Sequence, residues 1–109
     1  AVNLPNGGTV PNLPPDAVLE VPAVATAAGL YPMQVPDVSD ALAAVLTRKL
    51  AATRLTVEAA LTCDRRLFVE ALLADGAVTD RGTAEELTAA LLDAQRDHLP
   101  AAWFVDESG

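Results

Sequence analysis

The sequence predicts an α+β domain: a small, mostly antiparallel β part followed by about three helices. Three observations predict it. Seven of the eight prolines lie within residues 1–36, where fixed φ angles and missing backbone donors exclude a helix. Apolar side chains in residues 37–100 recur instead at spacings of three and four, the period of one helix face. The start of the chain, from Asn3 to Pro15, is rich in Asn, Gly and Pro, the residues of turns. We place the division at Pro36, giving an extended β part (1–36), a helical part (37–100) and a tail (101–109) in a single domain.

In the first part, Asn6-Gly7-Gly8 is a turn signal. Val18-Leu19-Glu20-Val21 reads as a strand that Pro22 ends or sets at an edge. The run from Ala17 to Ala28 is long enough for one or two strands, buried on both faces if Glu20 finds a partner. Gly29 and Pro32 are expected to turn the chain.

Asp37 or Ser39 can cap the first helix. Leu42, Leu46, Leu50, Thr53, Val57 and Leu61 mark its inward face over roughly 25 residues. Asp64 is the expected N-cap of a second helix, apolar almost all round, which Asp75-Gly76 ends with Gly76 in the left-handed conformation. Thr83-Ala84-Glu85-Glu86 reads as a capping box for a third helix, with Leu87, Leu91 and Ala94 inward. Leu99-Pro100 stops it. Ala101 to Val105, with Trp103 and Phe104, is expected to form an apolar tip, and Asp106 to Gly109 a loosely ordered end.

Composition bounds the function. A chain of 109 residues supports one domain with a modest core. A net charge of -8 argues against nucleic acid or an anionic membrane as partner. The single cysteine forms no internal disulfide and suits a reducing cytoplasm. No apolar run reaches the ~18 residues of a membrane span.

The most informative stretch runs from Asn3 to Pro22. Its order is Asn-Leu-Pro-Asn-Gly-Gly, a spacer, Asn12-Leu13-Pro14-Pro15-Asp16-Ala17, then Val18-Leu19-Glu20-Val21-Pro22. This resembles the C-terminal region of family 4 glycoside hydrolases, the NAD- and metal-dependent α-glucosidases, α-galactosidases and 6-phospho-glucosidases. Gly29-Leu30-Tyr31-Pro32, Leu55 to Thr62 and Ala71 to Asp75 are similar to later signatures of that family. Cys63 stands where Gly is usual, and Gly76 where Pro is usual. The resemblance implies the C-terminal part of a lactate/malate-dehydrogenase-like architecture. It also implies a longer parent that uses NAD and a divalent metal, usually Mn²⁺, to cleave glycosides by oxidation and elimination. The N-terminal NAD-binding domain would be absent from this chain, and with it every catalytic, cofactor and metal residue. A homo-oligomer and a sugar or sugar-phosphate substrate are expected of the parent. A free-standing, non-catalytic helical interaction module is the alternative.

Asn3, Asn6, Asn12 and Glu20 are the substrate-adjacent candidates. Asn can serve turns by its own hydrogen bonds or present amides to sugar hydroxyls. Glu20, in an apolar strand, needs water or a partner. Cys63 and His98 are rejected as metal ligands, because neither lies in a ligand motif and two ligands leave a site incomplete. Arg65-Arg66 opens a helix against its dipole and calls for a carboxylate partner.

Overall fold

The computed structural model describes residues 1–105; the expected loose end, Asp106 to Gly109, lies outside them. The described chain has four short strands, three helices and two 3-10 turns. It divides into two compact units, Ala1–Thr47 and Arg48–Gly109. The α+β class is that expected.

In the first unit, β1 (Val2–Pro5) pairs antiparallel with β2 (Val18–Val21), and β3 (Ala23–Thr26) with β4 (Gly29–Pro32). These are two separate two-stranded ribbons. Alternation sorts the first ribbon. Val2, Leu4, Leu19 and Val21 share the less exposed face, while Asn3, Pro5, Val18 and Glu20 face water. Val21 joins Val10, Leu13 and Ala17 among the buried apolar side chains of this unit. Residues 17–28 are not buried on both faces as expected: Val18, Val24 and Glu20 are exposed. A two-stranded ribbon covers neither face of itself. Gly29 to Pro32 is a strand rather than a turn, and the chain reverses at Ala27-Ala28 instead.

The first helix, α1 (Asp40–Thr62), is opened by Ser39, whose Oγ accepts from the Leu42 amide at 3.3 Å. Its inward face is not the expected line. Ala52 and Ala59 are buried, with Leu55 and Cys63 half-buried; of the expected line Leu46 and Leu50 are half-buried, whereas Leu42, Thr53, Val57 and Leu61 are exposed. Small side chains allow close approach, so the alanines take the packed side.

The second unit holds the rest. Asp64 caps α2 (Arg65–Asp75), accepting from the Arg66 and Leu67 amides at 2.8 and 3.4 Å. Gly76 ends it at φ 87°, its amide donating to the Leu72 carbonyl. Proline at this position is excluded by geometry, since its ring fixes φ near −65°. The helix is less deeply placed than its composition suggests: Val69 and Ala71 are buried, but Leu67, Phe68, Leu72 and Leu73 are half-buried.

The cap of α3 (Arg81–Ala94) is Asp80, not Thr83. The Asp80 carboxylate accepts from both the amide and the hydroxyl of Thr83, at 2.8 and 3.0 Å. A carboxylate one turn earlier answers the orphan amide first, so the helix begins sooner. Its buried line is Ala84, Thr88 and Leu92; Leu91 and Ala94 are exposed. Trp103 is no exposed tip. It is 6% exposed and forms the core cluster with Ala59 and Leu92. The Phe68 ring meets it edge-on at 6.2 Å. Arg65 Nε donates to the Trp103 carbonyl at 2.8 Å and helps hold the segment in place.

Candidate functional site

The loop between β1 and β2 is built around Asn6. Its backbone amide donates to the Ala17 carbonyl at 2.7 Å, and Gly7 donates to Pro15 at 2.8 Å. The Asn6 side chain, 1% exposed, reaches across the loop. Nδ2 lies 2.9, 3.0 and 3.1 Å from the carbonyls of Val10, Leu13 and Pro14, and Oδ1 accepts from the Val10 amide at 2.7 Å. Every polar atom of that side chain has an intramolecular partner. The amide therefore serves three carbonyls that the surrounding prolines leave short of donors.

Asn12 is exposed but engaged. Its Nδ2 donates to the Val38 carbonyl at 2.8 Å, and its Oδ1 accepts from the Val38 amide at 3.1 Å. That pair ties the loop to the segment entering α1. Gln34 adds a second tie through the carbonyls of Gly8 and Thr9.

Asn3 and Glu20 are differently placed. They are direct partners in the β1–β2 register and both are exposed. Facing pairs in an antiparallel ribbon lie side by side, about 5 Å apart at Cβ. Of the four candidates, the structure brings these two together, on one face with Pro5 and Val18. An amide beside a carboxylate offers donors and acceptors at sugar-hydroxyl spacing. Asn3 and Glu20 are the one polar residue of each strand, so this pairing was open to inspection once the register was known. The internal role of Asn6 had no such signal.

The remaining candidates lie in the second unit. Cys63 is half-buried with φ 55° at the end of α1, and His98 is exposed in a 3-10 turn. Among the described residues no group of three or more His, Cys, Asp or Glu is placed to hold a metal ion. Arg66 lies 3.6 Å from the Asp64 carboxylate, the type of partner its position demands. An apolar cleft of about 320 Å³ opens beside Phe68, Leu91, Leu92 and Trp103. It lacks the convergent polar groups that chemistry requires. No described helix is long and apolar enough to cross a membrane.

This arrangement is an α+β fold with one outward strand pair carrying Asn3 and Glu20 and a proline-rich loop held by the Asn6 network. Residues 1–78 match the model of the family 4 glycosyl hydrolase C-terminal domain, and the chain belongs to that family. It is 32% identical over 99 residues to an alpha-glucosidase of Erwinia rhapontici, covering 91% of this chain and 22% of that protein. It is also 32% identical over 106 residues to an alpha-galacturonidase of Lachnoclostridium phytofermentans, covering 94% and 23%. The fold matches a 6-phospho-alpha-glucosidase from gut microorganisms, solved with NAD and glucose-6-phosphate, at a TM-score of 0.82 and 24% identity. That match covers 90% of this chain and 22% of the other. A second 6-phospho-alpha-glucosidase structure, with NAD and Mn²⁺, matches at TM-score 0.83 and 20% identity, covering 90% and 23%. The chain thus spans less than a quarter of each of these relatives.

Proposed function

We propose that this chain serves as the C-terminal domain of a cytoplasmic glycoside hydrolase of the α-glucosidase, α-galactosidase or 6-phospho-glucosidase type. Its parent cleaves glycosidic bonds by NAD-dependent oxidation and elimination. The family match over residues 1–78 supports this reading. NAD would supply the redox chemistry and Mn²⁺ the polarisation of a sugar oxygen. The described residues of this chain do not fit either group, lacking a ligand cluster and a Gly-rich strand-turn-helix. Both are assigned to the N-terminal NAD-binding domain of the parent.

The work of this chain is scaffold, one wall of the sugar site and contacts between copies. The wall is the Asn3–Glu20 face, whose paired register and exposure carry the reading. The Asn6 network holds that face's loop in one shape, so the wall is pre-formed when a sugar or sugar phosphate arrives.

The test uses the full-length parent. Asn3→Ala and Glu20→Gln are expected to raise KM for a nitrophenyl glycoside roughly tenfold while leaving the fold intact, as loss of a ground-state hydrogen bond does. Wild-type kinetics in both variants would remove the strand pair from the substrate site.

A further inference from the structure

The ribbon formed by β3 and β4 is bare on both faces. In its register Val24 stands beside Tyr31 on one face, and Ala25 beside Leu30 on the other. Val24, Tyr31 and Leu30 are 50%, 54% and 51% exposed. The ribbon is nonetheless firmly built. The Thr26 hydroxyl accepts from the Ala28 amide at 3.1 Å and donates to the Gly29 carbonyl at 3.2 Å, which fixes the turn. At the root, the Met33 amide donates to the Pro22 carbonyl at 2.8 Å, and the Val35 amide to the Thr9 carbonyl at 2.9 Å. A two-stranded ribbon is marginal in water unless further strands or a helix join it.

The open edge is β3. The Met33–Pro22 bond sets the phase of the ladder. Pro22, Val24 and Thr26 turn their backbone groups toward β4, and Ala23 and Ala25 turn theirs away. Neither alanine has a hydrogen bond outside the ribbon among the described residues. Strand edges are normally blunted by charge, proline or a bulge. β4 ends in Pro32, which has no N–H to offer, whereas Ala23–Thr26 carries no such guard.

Charge and symmetry select the partner. Residues 21–36 hold none of the chain's Asp, Glu, Lys or Arg. Two copies, each of net charge -8, therefore repel least when they meet here. β3 is also complementary to itself. Laid antiparallel with Val24 opposite the second copy's Val24, Ala23 of each copy faces Ala25 of the other. Each outward N–H then meets an outward C=O. The two valines form a non-hydrogen-bonded pair, where side chains lie closest. Tyr31 and Val24 of both copies join in one apolar row across the sheet.

We propose that two copies of this chain pair through β3 across a two-fold axis, joining their ribbons into one four-stranded antiparallel sheet in the order β4-β3-β3-β4. Two-fold pairing lets a single edge satisfy itself. The proposal rests on the reading that this chain makes contacts between copies, and gives those contacts a place.

The experiment is sedimentation equilibrium of the full 109-residue chain at ~100 μM, with amide exchange followed by NMR from ~10 to ~500 μM. A mass above the 11.3 kDa monomer is expected, with the Ala23 and Ala25 amides exchanging several-fold more slowly at the higher concentration. Val24→Lys should weaken association roughly tenfold or more, because it opposes two ammonium groups at the centre of the contact. It does so while lowering the net charge that keeps copies apart. Ala25→Pro removes an outward N–H and leaves the ribbon's own ladder intact. It should weaken association by a similar factor, and it keeps the test decisive if Val24→Lys fails to fold. Leu61→Lys, at a side chain 82% exposed in the second unit, should associate as the wild type does. A monomer at ~100 μM, exchange at Ala23 and Ala25 that ignores concentration, or wild-type association in Ala25→Pro would each overturn the proposal. So would a monomeric chain whose Ala23 and Ala25 amides become protected in the full-length parent, which would give the ribbon to another domain. The NAD and Mn²⁺ dependence of the parent's hydrolysis reads the glycosidase assignment separately, so each can fail without the other.

Discussion

At Asn6, one side-chain amide serves three carbonyls and its oxygen takes the Val10 amide. Alanine there strands four polar groups in a buried place. With about 1–3 kcal/mol for a buried group left unsatisfied, Asn6→Ala is expected to cost about 3 kcal/mol or more in urea melts. Asn6→Asp should cost more, since it sets a carboxylate against three carbonyl oxygens. A loss below about 1 kcal/mol for the alanine variant would contradict the network. Gly76 is governed by backbone rather than side chain. Its φ of 87° disfavours any Cβ, and the Arg48 guanidinium occupies the space a Cβ would need, 2.6 Å from its ideal position. Moving Arg48 disturbs its hydrogen bonds to the Ala74 and Leu73 carbonyls, so Gly76→Ala is expected to cost about 2 kcal/mol or more, from backbone strain and these bonds together. The same angle explains why the proline usual in the family has no place in this chain.

At the scale of elements, the helices of the second unit are tied by carboxylates held below their ordinary value of 3.8. Asp64 and Asp80 are lowered chiefly by backbone amides, of Arg66 and Thr83 respectively, and Asp75 by the Lys49 ammonium 2.7 Å away. A carboxylate with a depressed folded value stabilises the fold above its ordinary value, and that contribution is lost as pH falls through the folded one. The thermal midpoint of the chain is therefore expected to hold from neutrality to about pH 5, then fall in acid. A midpoint flat to about pH 2 would contradict these caps.

Such caps were legible beforehand where the signal was local. Ser39, Asp64 and Gly76 end or begin helices as their side chains and backbone freedom require. The packed faces were less legible, because periodicity ranks residues by apolarity and not by size. In α1 the stripe from Leu42 to Leu61 matched a helix period, yet the structure buries Ala52 and Ala59. Trp103 was misplaced because residues after Pro100 have no period at all; only the fold brings them back against Leu92. Trp103→Ala is expected to cost about 3–5 kcal/mol, the usual loss for a buried large aromatic. Asn3 and Glu20 could be chosen as candidates from sequence, but their pairing needed the register.

At the scale of the whole molecule, the exposed apolar residues call for cover. Val24, Leu30, Tyr31 and Met33 in the first unit and Val57, Leu61 and Leu91 in the second are all exposed, Leu61 at 82%. Residues 21–36 carry no charge in an otherwise acidic chain. The chain is expected to self-associate, since exposed apolar patches beyond a few hundred Å² find partners. Sedimentation equilibrium returning only the 11.3 kDa monomer at ~100 μM would contradict this. The function proposed above places NAD and a divalent metal on another domain of the parent. Calorimetry of the isolated chain should register neither NAD nor Mn²⁺. The most direct measurement is nitrophenyl glycoside hydrolysis by the full-length parent after dialysis against a chelator, with NAD and Mn²⁺ restored separately and together. The account predicts hydrolysis only when both are present; turnover indifferent to both would contradict it.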